Sequence, residues 1–169
     1  MKVRELMTKT VAICHSETNL ASAGALKWES DCGVLPVVDE RKKVIGILTD
    51  RDVCIALTTN DRRPSAMTVG DISGPRAFVC SQDNDVQLAL KLMREHRIHR
   101  VPVVNKAGIL EGILSLKDIV LRAEKDVGRK RPDISYDDVV LTLQTICAYT
   151  PGRKQTSVSV VDGHAAGAA

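Results

Sequence analysis

Short apolar runs rich in β-branched residues alternate along this chain with longer segments whose apolar positions recur every three or four residues. Residues 10–14, 34–38 and 44–48 read as strands, with a polar turn over 39–43 between the last two. Residues 16–19 carry helix-capping chemistry, and a helix follows to about Ser30. A second helix starts near Asp50. The order then returns: strand 77–80, helix 85–96, strands 100–104 and 109–114, helix 116–124. Val86, Ala89, Leu90 and Met93 fall at i, i+3, i+4 and i+7, a single helical face. In the first unit Gly24 and Lys27 stand where Leu90 and Met93 stand in the second. The pattern therefore predicts that Lys27 snorkels its amine to water while Leu26 and Trp28 supply bulk.

The two units share one register. Pro36 and Pro102, Gly46 and Gly112, Asp52 and Asp118, Val3 and Val69, and Cys14 and Cys80 are all 66 residues apart. Leu35-Pro-Val-Val-Asp39 is echoed by Val101-Pro-Val-Val-Asn105, and Gly46-Ile-Leu-Thr-Asp-Arg-Asp52 by Gly112-Ile-Leu-Ser-Leu-Lys-Asp118. A repeat of this length is a duplicated β-α-β-β-α unit that cannot bury its apolar face alone. The seam between two such units is a natural ligand cleft. The expected organisation is a repeat over 1–59, a polar linker over 60–68 and a repeat over 69–125. A basic connector and a last helix occupy 126–150, and a Ser/Gly/Ala-rich tail over 151–169 reads as disordered. Ser135 and Asp138 have capping-box spacing. Behind them Val139, Val140, Leu143 and Ile146 read as one apolar stripe that covers either its own module or a partner subunit.

Composition removes several classes. A formal charge of +3 with dispersed cations and only 2% aromatic residues argues against nucleic acid. No apolar run approaches the roughly 20 residues of a membrane span. The first residues lack the apolar stretch of a signal peptide. Five cysteines form an odd set without a C-x-x-C pair, which fits a reducing, cytoplasmic setting.

The chemistry concentrates in the two Gly-x-x-[Ser/Thr]-x-x-Asp segments. Thr49 and Asp52, like Ser115 and Asp118, have the spacing of a helix cap that answers itself. The same geometry at a strand end suits a ligand. A helix N-terminus attracts anions, and a carboxylate one turn in can accept from ribose hydroxyls. Arg51 and Lys117 stand inside the segments, able to face a phosphate, and His96-Arg-Ile-His-Arg100 precedes the second Pro strand. The pair His96 and His99 lacks further ligands, so no metal site is expected. No nucleophile–base pair stands out, so no catalysis is expected.

On these motifs, over about residues 1–124, the chain resembles a tandem pair of CBS (cystathionine-β-synthase) domains, a Bateman module. The resemblance implies an α/β fold in which the two repeats pack through their sheets about a pseudo-twofold axis, with the last helix added. It implies a stand-alone regulatory module that binds AMP, ADP or ATP, or S-adenosylmethionine, with no catalytic cofactor. A homodimer joined through helices, and signalling to a protein target, are further implications. By motif position Asp52 and Asp118 would hold ribose, and Thr49 and Ser115 phosphate or ribose. His99 and Arg100 would reach phosphate. Val34, with Thr10 to Ile13 or Arg76 to Val79, would flank adenine. Gly33-Val34 stands where His99-Arg100 stands, so the two clefts differ chemically. The alternatives are an oligomerisation protein with vestigial clefts and, further off, an enzyme.

Overall fold

The computed structural model of the protein describes residues 1–74, 77–128 and 132–148. After a 3₁₀ turn at Val3–Glu5, helix α1 (Leu20–Glu29) leads to strands β1 (Val34–Val38) and β2 (Val44–Thr49) and to helix α2 (Asp50–Thr59). Another 3₁₀ turn, Pro64–Ala66, and a short helix α3 (Val69–Ile72) follow. The second unit comprises β3 (Cys80–Ser81), α4 (Val86–His96), β4 (Arg100–Val104), β5 (Leu110–Ser115) and α5 (Leu116–Val120). Helix α6 (Tyr136–Cys147) comes last. Arg76, residues 129–131 of the basic connector and the tail from 149 onward lie outside the described residues.

Both hairpins have one register, with Pro36 opposite Ile47 and Pro102 opposite Ile113. Each carries a bulge at the same place, Val37/Val38 and Val103/Val104. The strand predicted over 10–14 shrinks to a single parallel bridge, Cys14 to Val37. The one predicted over 77–80 starts only at Cys80, paired with Val103. The reason lies in the prolines. Cys14 N–H donates to the Pro36 carbonyl at 3.1 Å and its own carbonyl accepts from Val38 at 2.9 Å. The next rung back needs an N–H from residue 36, which proline lacks. Helix α5 also stops early, at Val120 rather than near 124, because the chain turns to pair Glu124 N–H with the Ile134 carbonyl at 2.9 Å.

Each unit is completed by the segment that leads into the other. Val3 N–H donates to Asn84 O at 3.0 Å and Val86 N–H to Met1 O at 3.1 Å. The equivalent bonds, 66 residues on, are Val69 N–H to Thr18 O at 2.8 Å and Leu20 N–H to Met67 O at 3.0 Å. Val3 and Met7 accordingly sit in the core of the second repeat beside Val86, Leu90 and Leu114. Met67 and Val69 sit in that of the first, beside Leu20, Leu35 and Leu48. Thr8 exchanges two 2.9 Å hydrogen bonds with Ile113. A Cβ on Gly112 would lie 2.7 Å from the Thr8 carbonyl, and one on Gly46 would lie 3.0 Å from that of Gly74. The paired glycines therefore admit a crossing backbone.

The repeats meet about a pseudo-twofold axis. Val44 N–H donates to Gly108 O at 3.1 Å, and Leu110 N–H to Lys42 O at 3.0 Å, each the 66-residue image of the other. Leu35, Val37 and Leu48 face the helices of the first repeat. Val34, Val38 and Val104 lie on the opposite sheet faces and are also buried, between the repeats.

Helix α6 covers its own module. Ile134 and Val139 join the core of the second repeat. Gln87 Nε2 donates to Asp133 O at 2.9 Å, Arg94 to Thr142 Oγ1 at 3.0 Å and Arg97 to Ala148 O at 2.9 Å. The single stripe read from the sequence divides. Val139 turns inward and Thr142, fully buried, follows it one turn on, while Val140 and Leu143 face out. In α1, Lys27 does not reach water. Its side chain is 8% exposed and its Nζ bonds Asp50 Oδ1 at 3.1 Å. Trp28, 88% exposed, adds nothing to the core.

Burial raises the Cys14 thiol to about 11, against a smaller opposing pull from Lys27, and raises Cys80 to about 12. An unfolded thiol ionises near 8.5, so stability is unaffected below that pH and is lost as pH rises toward 11 and 12. Melting temperature should fall on going from pH 9 to pH 11, less steeply in Cys80→Ala. In native protein at neutral pH, a bulky thiol reagent should label exposed Cys54 and Cys147 but not Cys14 or Cys80. The Lys27–Asp50 pair has an uneven energetics of its own. Asp50 is 70% exposed and can live without a partner, whereas the buried ammonium cannot. Asp50→Ala should cost about 1–2 kcal/mol in denaturant unfolding, and Lys27→Met should cost nothing or stabilise.

Candidate functional site

Strand β2 delivers Thr49 to the N-terminus of α2, and β5 delivers Ser115 to that of α5. At both ends the capping box is realised. Thr49 N–H and Oγ1 donate to Asp52 Oδ2 at 2.9 and 2.6 Å, and Asp52 N–H returns to Thr49 Oγ1 at 3.2 Å. Ser115 and Asp118 reproduce this at 2.8, 2.6 and 3.2 Å. Among the described residues, each carboxylate spends only Oδ2 on the cap. Asp52 and Asp118 are half-buried. The cap alone is not specific to this place, because Thr68 with Asp71 and Ser135 with Asp138 build the same box elsewhere.

The other predicted residues distribute unevenly. Val34 is buried with its Cα opposite that of Thr49, and Arg100 stands opposite Ser115 in the same register. Ile13 and Val79 are half-buried at equivalent positions, each just before a pairing cysteine. Thr10, Arg51, Lys117, His99 and Arg100 are exposed. His96 is stacked on Phe78 with ring centroids 3.4 Å apart. No group of three or more His, Cys, Asp and Glu among the described residues is arranged to hold a metal ion.

The packing also decides where the second repeat's cation goes. The guanidinium nitrogens of Arg100 lie 3.4 and 3.6 Å from the point a Gly33 Cβ would occupy, with Asp50 Oδ2 at 2.9 Å from it. Gly33 O accepts from Asp50 N–H at 3.3 Å, so Arg100 crosses the axis to the first turn of α2. From there it lines the end of a groove of about 840 Å³ between α1 and α2, with Gly24, Lys27, Trp28, Val53 and Leu57. Neither Thr49 nor Asp52 lines that groove. The sequence reading missed the roles of Gly33, Lys27 and Asp50. The usable signal was the break in the repeat, glycine in place of His99 and lysine in place of Met93.

Known proteins share this fold. Hypoxic response protein 1 of Mycobacterium tuberculosis is 26% identical over 145 residues, covering 86% of this chain and 93% of that protein. Its crystal structure, with two coordinated zinc ions, covers 73% of this chain at a TM-score of 0.67. The CBS domain pair of MJ0100, solved with 5′-methylthioadenosine and S-adenosyl-L-methionine, is 26% identical, with a TM-score of 0.65 over 72% of this chain and 94% of that one. CBSX2, a CBS-pair protein of Arabidopsis thaliana, in complex with AMP is 25% identical, with a TM-score of 0.62 over 71% and 93%. The sequence profile of the CBS domain matches residues 3–59 and again 69–125, the two halves that the backbone pairs about its pseudo-twofold axis, and the chain belongs to the CBS domain family as a tandem pair.

Proposed function

We propose that this CBS pair is a regulatory module whose inter-repeat clefts bind an adenosine ligand of the AMP, ADP or ATP type. One observation carries the reading. The caps fix Asp52 and Asp118 through Oδ2, leaving Oδ1 of each to accept from a ribose diol. Capping and ribose binding are then two uses of one carboxylate. Arg51 and Lys117, exposed at the first turns, and Arg100 supply cations for phosphate. They favour nucleotides over cationic S-adenosylmethionine. A purine is held between Val34 and Ile13 or Val79, in keeping with the few aromatic residues. The relatives solved with AMP and with S-adenosyl-L-methionine support an adenosine ligand. Arg100, reaching from its strand across the axis to α2, couples an occupied cleft to the outer groove. The module acts as a homodimer without catalysis of its own, in the reducing cytoplasm that its free cysteines suit. A second reading, vestigial clefts with Asp52 and Asp118 as caps only, draws on the identical boxes at Thr68 and Ser135.

Asparagine variants separate the two. Asp52→Asn or Asp118→Asn should cost at most about 1 kcal/mol of stability. Each should lower AMP affinity at its cleft at least tenfold by titration calorimetry, since about 1.4 kcal/mol is one decade. Arg100→Ala should weaken ATP more than AMP and leave adenosine nearly unchanged. Unaltered affinity in both Asp variants, or no AMP, ADP or ATP binding at millimolar concentration, rejects the sensor in favour of bare caps. Light scattering at micromolar concentration should give twice the 18.4 kDa chain mass.

A further inference from the structure

Strand β5 carries an acid where its counterpart carries an aliphatic residue. Glu111 stands 66 residues after Ile45. It is the extra residue of the β5 bulge, between Gly112, paired with Val103, and Leu110, paired with Val104. Gly112 faces Met7, and Leu114 joins the core of the second repeat, so alternation puts Glu111, Ile113 and Ser115 on the seam face. Glu111 Oε2 is enclosed by protein, and among the described residues no donor reaches it. The capping carboxylates of Asp52 and Asp118 differ, since each bonds through Oδ2. A buried acceptor without a donor is destabilising, and folds retain such violations chiefly at functional sites.

We infer that Glu111 reads the base in the cleft that Ser115 and Asp118 serve, its Oε2 accepting from the 6-amino group of adenine. The inference rests on the adenosine reading above and adds the residue that selects the base. Three features carry it. The first is position. Glu111 and Ser115 lie on one face of β5, four residues or about 13 Å apart. A nucleoside with its diol at Asp118 and its base pointing back along β5 has a carboxylate at each end of that span. The second is the neighbouring segment. Thr8 is bridged antiparallel to Ile113, so the residues after it run back along β5 toward Glu111. They lead into Thr10 to Ile13, the segment read as flanking adenine. The third is chemical. One enclosed acceptor asks for one donor. Adenine presents an N–H at its 6-position, whereas guanine and hypoxanthine carry an oxygen there, which would set two acceptors face to face. Ile45, 37% exposed, offers no acceptor at the position related by the pseudo-twofold, so only one cleft discriminates between bases in this way.

Titration calorimetry of the full chain with AMP, and with purine riboside 5′-monophosphate, which lacks the 6-amino group, tests this. At the site that Asp118→Asn weakens, AMP should bind at least tenfold more tightly than the analogue, and GMP more weakly than either. Glu111→Ile, which installs the residue of the first repeat, should erase that preference by weakening AMP and leaving the analogue unchanged. Glu111→Gln, closer in shape, should reduce the preference and relieve the exclusion of GMP. Retention of the wild-type preference in both variants overturns the role of Glu111 and leaves the adenosine module standing. A wild-type chain that binds no AMP overturns both.

Discussion

Two backbone hydrogen bonds at the start of β2 and β5, Val44 to Gly108 and Leu110 to Lys42, hold the two halves of this protein in their relation. They answer a constraint that neither half can meet alone. Each hairpin is apolar on both faces, and its own helices cover only one. Leu35, Val37 and Leu48 turn toward α1 and α2, yet Val34 and Val38 on the other face are equally buried. A two-stranded hairpin is marginally stable at best in water, and an apolar sheet face left bare forgoes the stabilisation that burial brings. Sheet-to-sheet packing about the pseudo-twofold removes that face from solvent, and leaves the strand ends, where Thr49 and Ser115 begin their helices, at the edges of the seam.

The seam is reinforced by exchange of chain segments. Residues that open the chain, Val3 and Met7, pack into the second repeat, and residues between the repeats, Met67 and Val69, pack into the first. Breaking the halves apart would therefore expose core residues of both, which couples their stability. Because of that coupling, a change in one repeat acts on both.

Where the halves differ, the chemistry differs. Gly33 leaves room above Asp50, and the Arg100 guanidinium from the other repeat fills it. Met93 is replaced by Lys27, whose buried amine requires Asp50. Helix α6 protects the second repeat and leaves the α1–α2 groove bare. Similar backbones thus carry one cation-flanked helix start and one covered flank, which breaks the equivalence that duplication created.

Much of this was legible from residues alone. The 66-residue register located both hairpins, the Pro strands and both Thr/Ser–Asp pairs, because period-two apolar runs and capping spacing are local properties. The pseudo-twofold was implied by the resemblance to paired CBS domains that the repeated motifs carry. Other features depended on partners distant in sequence. The loss of the strand over 10–14 needed the knowledge that Cys14 pairs at Val37, beside a proline without an N–H. The service of residues 1–8 to the second repeat lay beyond any local pattern, because Val3 is apolar whichever core receives it. The inward turn of Val139 and outward turn of Val140 depended on where α4 placed Gln87 and Arg94. Arg100 was visible as a cation, but only packing carried its guanidinium across the axis to Gly33, since a long side chain takes its direction from the space its neighbours leave.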